Sequence, residues 1–197
     1  MTSPLVFWVV LGLGPIPFWH LLLHAALPFW KRRPLAFYGS AAALWTLFLP
    51  LASWLASASS PLFVPSAGMK LACLVESFLG LGVWIWSVAA LSPKRFFGWA
   101  VLRPDDVKPL LIRSGPYRFA AHPSYFALLA TVASSFLASG EAVLLGALFG
   151  MAVLLAAVVI LEQRELRARL TSSGGRPQEA TAAAGSPRST TAPSLPA

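Results

Sequence analysis

The sequence predicts an all-α, polytopic membrane helical bundle of about five transmembrane helices, and three observations carry that prediction. First, 57% of the residues are hydrophobic and only 11% are charged, with a mean hydropathy of +0.70; a chain this apolar is unlike an ordinary soluble domain, and a bilayer is its natural solvent. Second, five apolar stretches, about 5–30, 35–57, 71–92, 123–139 and 142–161, come close to the roughly 20 residues a helix needs to cross a hydrocarbon core. Third, the net charge of +8 is gathered in short basic clusters between those stretches. Such spacing is a topology signal rather than a nucleic-acid-binding face, so no nucleic-acid partner is expected.

The first stretch holds Pro15, Pro17 and Pro28. Each proline removes an amide donor and crowds the preceding turn, so a kinked or broken helix is expected rather than a straight rod. Phe7-Trp8, Phe18-Trp19 and Phe29-Trp30 recur every eleven residues and read best as an interfacial aromatic belt. His20 and His24 are four apart, on one helix face, and would make a two-ligand metal pair; no third ligand is evident, so packing or interfacial histidines are the better reading and no metal is expected. The run is too long for a signal-peptide core and ends in Lys31-Arg32-Arg33 instead of a small-residue cleavage site, so it is expected to stay in the mature chain.

The third stretch carries Glu76, about six residues on from Lys70. An acid inside a span is a functional candidate by default, the alternatives being the outer interface or a partner on another span. Cys73, the single cysteine, reads as a buried small hydrophobe and offers neither a disulfide framework nor metal-ligand spacing. Spans four and five are separated only around Ser139-Gly140-Glu141, which predicts a tight antiparallel hairpin.

Lysine and arginine set the expected orientation. Lys31, Arg32 and Arg33 follow span one, Lys94, Arg95, Arg103, Lys108, Arg113 and Arg118 follow span three, and Arg164, Arg167 and Arg169 follow span five, with only Lys70 on the opposite side. The amino terminus is therefore expected outside and the carboxyl terminus in the cytoplasm. Arginine outnumbers lysine and alanine is abundant, which points to a GC-rich bacterial source and an inner-membrane location. The chain divides into a three-span region over 1–92, a loop plus two-span hairpin over 93–170, and a tail over 171–197. That tail is rich in Ser, Thr, Ala, Gly and Pro, and its composition predicts disorder.

The chemistry gathers where the long loop from about Ser92 enters span four, at Arg113-Ser114-Gly115-Pro116-Tyr117-Arg118-Phe119-Ala120-Ala121-His122-Pro123-Ser124-Tyr125. Pro123 suits the first turn of a helix, since its missing amide hydrogen would go unpaired there anyway. The open amides of that turn, with Arg118 and His122, are expected to form an anion site. Glu162 stands at the end of span five in Glu162-Gln163-Arg164-Glu165-Leu166. In an antiparallel hairpin the start of span four and the end of span five lie at one membrane face, so His122 and Glu162 are expected to be able to meet.

These two segments, Gly115-Pro116-Tyr117-Arg118-Phe119-Ala120-Ala121-His122-Pro123-Ser124-Tyr125 and Glu162-Gln163-Arg164-Glu165-Leu166, resemble the signature of the isoprenylcysteine carboxyl methyltransferase and phospholipid methyltransferase superfamily of integral membrane enzymes. The likeness covers roughly residues 108 to 169. It implies S-adenosylmethionine bound from the cytoplasm and a lipophilic small-molecule or lipid acceptor entering from the bilayer. Carried over by position, Leu111, Ile112, Tyr117, His122, Pro123, Ser124 and Tyr125 would line the cofactor site and Glu162 would hold a polar group of the cofactor. The chain departs from the pattern at Ala121 (arginine in the signature), Ala127 (glycine), Gln163 (glutamate) and Val158, where the carboxyl methyltransferases place the arginine that holds the substrate carboxylate. The family's usual carboxyl-terminal pattern is replaced by the low-complexity tail. A membrane reductase using a nicotinamide cofactor and a non-catalytic protein that keeps the hairpin are the rival readings.

Overall fold

The computed structural model describes residues 3–107 and 112–172, with side chains to residue 168. Leu111 and nearly all of the tail read from the sequence lie outside the described residues. The described chain is helical: α1 (Pro4–Leu13), α2 (Pro15–Ala25), α3 (Leu27–Arg32), α4 (Pro34–Ala58), α5 (Ala67–Leu91), α6 (Pro93–Phe96), α7 (Trp99–Leu102), α8 (Pro123–Ser139) and α9 (Ala142–Ser172), with a single 3-10 turn at Gly115–Arg118. Four runs are long and apolar enough to cross a membrane, Pro4–Ala25, Pro34–Ala58, Ala67–Leu91 and Ala142–Ala168, and α8 is a shorter fifth apolar helix.

Proline and glycine explain the punctuation. Pro15, Pro28, Pro34, Pro93 and Pro123 each sit in the first turn of a helix, where the missing amide costs nothing. The first apolar stretch is accordingly broken twice. At Gly14 the chain stays right-handed while passing the Phe48 ring so closely that a Cβ would lie 2.8 Å from it. At Ala26 the backbone leaves the helical region altogether, with φ −121° and ψ 29°. Helix α9 runs to Ser172, two residues into the segment read as a tail from sequence.

Helix α5 packs along α8, α1 along α4, and α2 and α8 both against α9. One core cluster, with Val6, Val10, Phe48, Ala52, Val132, Leu144 and Leu155, joins α1, α4, α8 and α9. A second, with Trp19, Leu23, Leu27, Trp30, Phe37 and Leu102, joins the later part of the first stretch to α4 and α7. The aromatic pairs of that stretch are not equivalent: Trp8 is exposed while Trp19 and Trp30 are buried. Leu47, Trp54, Phe78, Leu79 and Val153 are all more than 60% exposed, an outward apolar surface that lipid covers at no desolvation cost.

At the end of the bundle away from the functional motifs, the α4–α5 connection clips onto the α8–α9 turn. Leu62 N donates to the Gly140 carbonyl at 2.8 Å and Ala142 N to the Ser60 carbonyl at 3.1 Å. Ser59 Oγ donates to Glu141 Oε2 at 2.7 Å. Gly140 makes the turn in the left-handed region, φ +75°, a conformation glycine adopts without a Cβ penalty. Glu76 resolves as a partnered acid: Ser134 of α8 donates to its carboxylate, and Gly80 and Ala127 keep α5 and α8 close beside it.

Candidate functional site

The opposite end of the bundle gathers the three histidines with Glu162 and Glu165. The 3-10 turn begins at Gly115 with φ +59°, and a Cβ there would meet Ala90 Cβ at 3.1 Å and Trp86 Nε1 at 3.2 Å. Only glycine fits both the angle and the space. The turn sets Tyr117 beside Ser87 of α5, where burial pushes its phenol pKa above the ordinary value.

His122 caps α8 without a side-chain cap bond. Its ring instead stacks parallel on Tyr125, centroids 5.4 Å apart at 2°, and its Nδ1 lies 3.3 Å from Glu162 Oε2. The expected anion site in the first turn is much reduced. Pro123 has no amide hydrogen, and the Tyr125 amide bonds back to the His122 carbonyl at 3.2 Å, so the turn offers little beyond the Ser124 amide.

Glu162 is the hub. Tyr125 Oη donates to its Oε1 at 2.7 Å, and His24 Nε2 approaches the same oxygen at 3.3 Å. His24 Nδ1 lies 3.0 Å from Glu165 Oε1. A carboxylate accepts but cannot donate, so His24 serves both glutamates only with both ring nitrogens protonated. His20, one turn earlier on α2, places Nδ1 2.9 Å from Tyr125 Oη. Every histidine in the chain therefore stands within one or two contacts of Glu162.

These groups edge a cavity of about 910 Å³. Trp19, His20, Leu23 and His24 of α2 and Phe37 of α4 line it on one side; Arg95 and Phe96 of α6, Phe97 just after it and Val101 of α7 line another; Ile112, Arg113 and Tyr117 to His122 form a third; Glu162, Gln163, Glu165 and Leu166 complete it. Trp19 stacks on Phe37 at 4.6 Å and 11° and donates from Nε1 to the Phe37 carbonyl at 3.3 Å, which fixes that wall.

Of the residues singled out from sequence, Ile112, Tyr117, His122 and Glu162 line the cavity, and Tyr125 stands behind them in the hydrogen-bond network. Pro123 is buried at the helix start and Ser124 is half-buried; neither lines the cavity. Val158 is fully buried in packing, and Ala121 lines the cavity with a methyl group where an arginine would reach across it. Sequence reasoning missed the contribution of α2. The signal was present: His20 and His24 precede Lys31-Arg32-Arg33 by a few turns, which places them near the same membrane face as His122 and Glu162.

A second, almost wholly apolar groove of about 410 Å³ runs between α1, α2, α4 and α9, bordered by Val10, Phe18, Phe48, Gly146, Gly150 and Leu154. The small residues of α9 hollow it out.

Compared with known families, residues 69–170 match the family model described as phospholipid methyltransferase. No curated protein and no solved structure matches the chain. The matched residues contain the 3-10 turn, α8 and the Glu162 end of α9, but not α2 or Phe37.

Proposed function

The chain belongs to the phospholipid methyltransferase family of integral membrane methyltransferases, and on that premise we propose that it transfers a methyl group from S-adenosylmethionine to a small or lipid-like hydrophobic acceptor at the cytoplasmic face of the membrane, in bacteria the inner membrane. The observation that carries the reading is the meeting of Glu162 with His122 and Tyr125 across the α8–α9 hairpin, at the edge of an aromatic-lined cavity. The basic clusters after the first, third and last spans support the cytoplasmic assignment.

The cavity suits the proposed cofactor in size and donor set. Its volume lies in the range of small-molecule sites, roughly 300–1,000 Å³. Glu162 provides an acceptor for amino or ribose hydroxyl hydrogens, Arg113 and Arg118 at the cavity wall provide cations for a carboxylate, and Trp19, Phe37 and Tyr117 provide aromatic faces for a purine and a sulfonium. When bound, S-adenosylmethionine supplies an electrophilic methyl group on a sulfonium. The protein needs no covalent nucleophile; its residues bind, align and keep water out. Val158 leaves nothing at its position to hold a carboxylate, which favours acceptors without one. The apolar groove beside Phe18 suits an aliphatic tail.

Calorimetric titration of the detergent-purified chain with S-adenosylmethionine and S-adenosylhomocysteine tests this reading. Saturable binding that disappears in His122→Ala and Glu162→Ala is the expected result. A folded native chain that binds neither ligand, and binds reduced nicotinamide nucleotide instead, would replace the methyltransferase reading with the reductase.

A further inference from the structure

Resting on the methyltransferase reading, we propose that His24 is a positioning residue for cofactor binding: a buried imidazolium clamped between Glu162 and Glu165 that holds the Glu162 carboxylate turned toward the cavity. The sequence of α9 creates the need. Glu162 and Glu165 are three residues apart and so share one helix face, with side chains only 25% and 21% exposed. Two carboxylates so placed repel, and the repulsion is least screened where water is scarce. His24 offsets it from α2, which packs against α9. Its Nε2 lies 3.3 Å from Glu162 Oε1 and its Nδ1 3.0 Å from Glu165 Oε1, with the ring 4% exposed. Each nitrogen meets an acceptor, so the ring carries both protons and a full positive charge. It stands in the last turn of α2, where the open carbonyls of a helix end also favour a cation.

The clamp reaches the cofactor through Glu162. Tyr125 and His24 meet at its Oε1 and His122 at its Oε2, which pins both edges of the carboxylate. Three of its about four lone-pair directions are thereby taken, and the last, on a group that borders the cavity, serves an amino or hydroxyl donor of the cofactor. Without the cation, Glu162 and Glu165 would turn apart or share a proton, and either change removes that acceptor. The other two histidines do not substitute for His24. His20, one turn earlier on α2, faces the Tyr125 hydroxyl, and His122 meets Glu162 from the α8 side. Helix α2 lies outside the residues that match the family model, so the clamp belongs to this chain's own amino-terminal part.

The test uses the full chain in detergent micelles, labelled with ¹⁵N at its three histidines, with S-adenosylhomocysteine as the probe. NMR of the native chain at neutral pH should find His24 protonated at both ring nitrogens. His24→Gln should weaken S-adenosylhomocysteine binding by roughly 10-fold or more. The deciding variant is His24→Gln combined with Glu165→Gln. Removing the second carboxylate removes the repulsion that the cation offset, so affinity should climb back toward the native value, whereas a merely structural contact would give a further loss. A bare nitrogen on His24, native affinity in His24→Gln, or a double variant that binds no better than His24→Gln would each overturn the assignment. The NMR result needs no variant and so decides even where His24→Gln does not fold. Failure of the native chain to bind S-adenosylhomocysteine, with His24 doubly protonated, would instead remove the cofactor reading beneath it.

Discussion

Tyr125 and Glu162 are 37 residues apart in sequence and 2.7 Å apart across the α8–α9 hairpin. The phenol sits between a carboxylate and an imidazole, so one side chain sets the orientation of two others. Tyr125→Phe keeps the ring that stacks on His122 and removes only the hydroxyl. A hydrogen bond to a charged group is worth about 1.5–3 kcal/mol, so S-adenosylhomocysteine affinity is expected to fall by roughly 10-fold or more with the fold intact. Calorimetry on the variant checks this, and unchanged affinity would show that Glu162 is held without the phenol.

His24 and Glu162 are expected to behave as one unit. His24 is only 4% exposed and lies between two glutamates, and removing one partner of such a pair leaves the other's charge uncompensated. In a double-mutant cycle of His24→Ala and Glu162→Ala, thermal stability should be non-additive, with a coupling on the order of 0.5–3 kcal/mol. Additive losses would count against a direct link between α2 and α9.

Gly115→Ala should act on the site without touching a cavity side chain. The added methyl group faces Ala90 and Trp86 at 3.1 and 3.2 Å in a left-handed conformation, a combined penalty of roughly 1–3 kcal/mol. The 3-10 turn carrying Tyr117 must shift, so ligand affinity should drop with a modest loss of melting temperature. Equal affinity in both chains would show that the turn does not position Tyr117.

Glu76→Gln and Glu76→Ala separate structure from function at the other polar cluster. The amide still accepts from Ser134, whereas alanine leaves the Ser134 hydroxyl without its acceptor. Alanine should destabilise the fold by about 1–3 kcal/mol, glutamine by less, and neither should change S-adenosylhomocysteine binding. A change in binding would tie Glu76 to the site from the far half of the bundle.

The hairpin and the broken first helix were legible in the sequence because each rests on local chemistry: Gly140 at a two-span turn, and Pro15, Pro17 and Pro28 inside one apolar run. Glu162 and His122 were legible because an antiparallel hairpin brings its open ends together. The role of α2 was not. Which face of a twice-broken helix turns inward depends on where Trp19 stacks and how Gly14 clears Phe48, and those are tertiary facts with no periodic signature. The first-turn anion site is reduced for a similar reason, since the His122 carbonyl took the Tyr125 amide that the sequence left open.

The clip between the α4–α5 connection and the α8–α9 turn gives the bundle a fulcrum. At that end two backbone hydrogen bonds and the Ser59–Glu141 bond tie the helix ends together. At the other end α2, α8 and α9 are joined by side-chain contacts on Glu162 from His24, His122 and Tyr125. Hydrogen exchange is therefore expected to be slower at the clip than around the cavity, as at the hinge of a pair of tongs. Loosening the clip, by Ser59→Ala for instance, would move the pivot and so alter how fast guests enter and leave a site at the opposite end of the bundle.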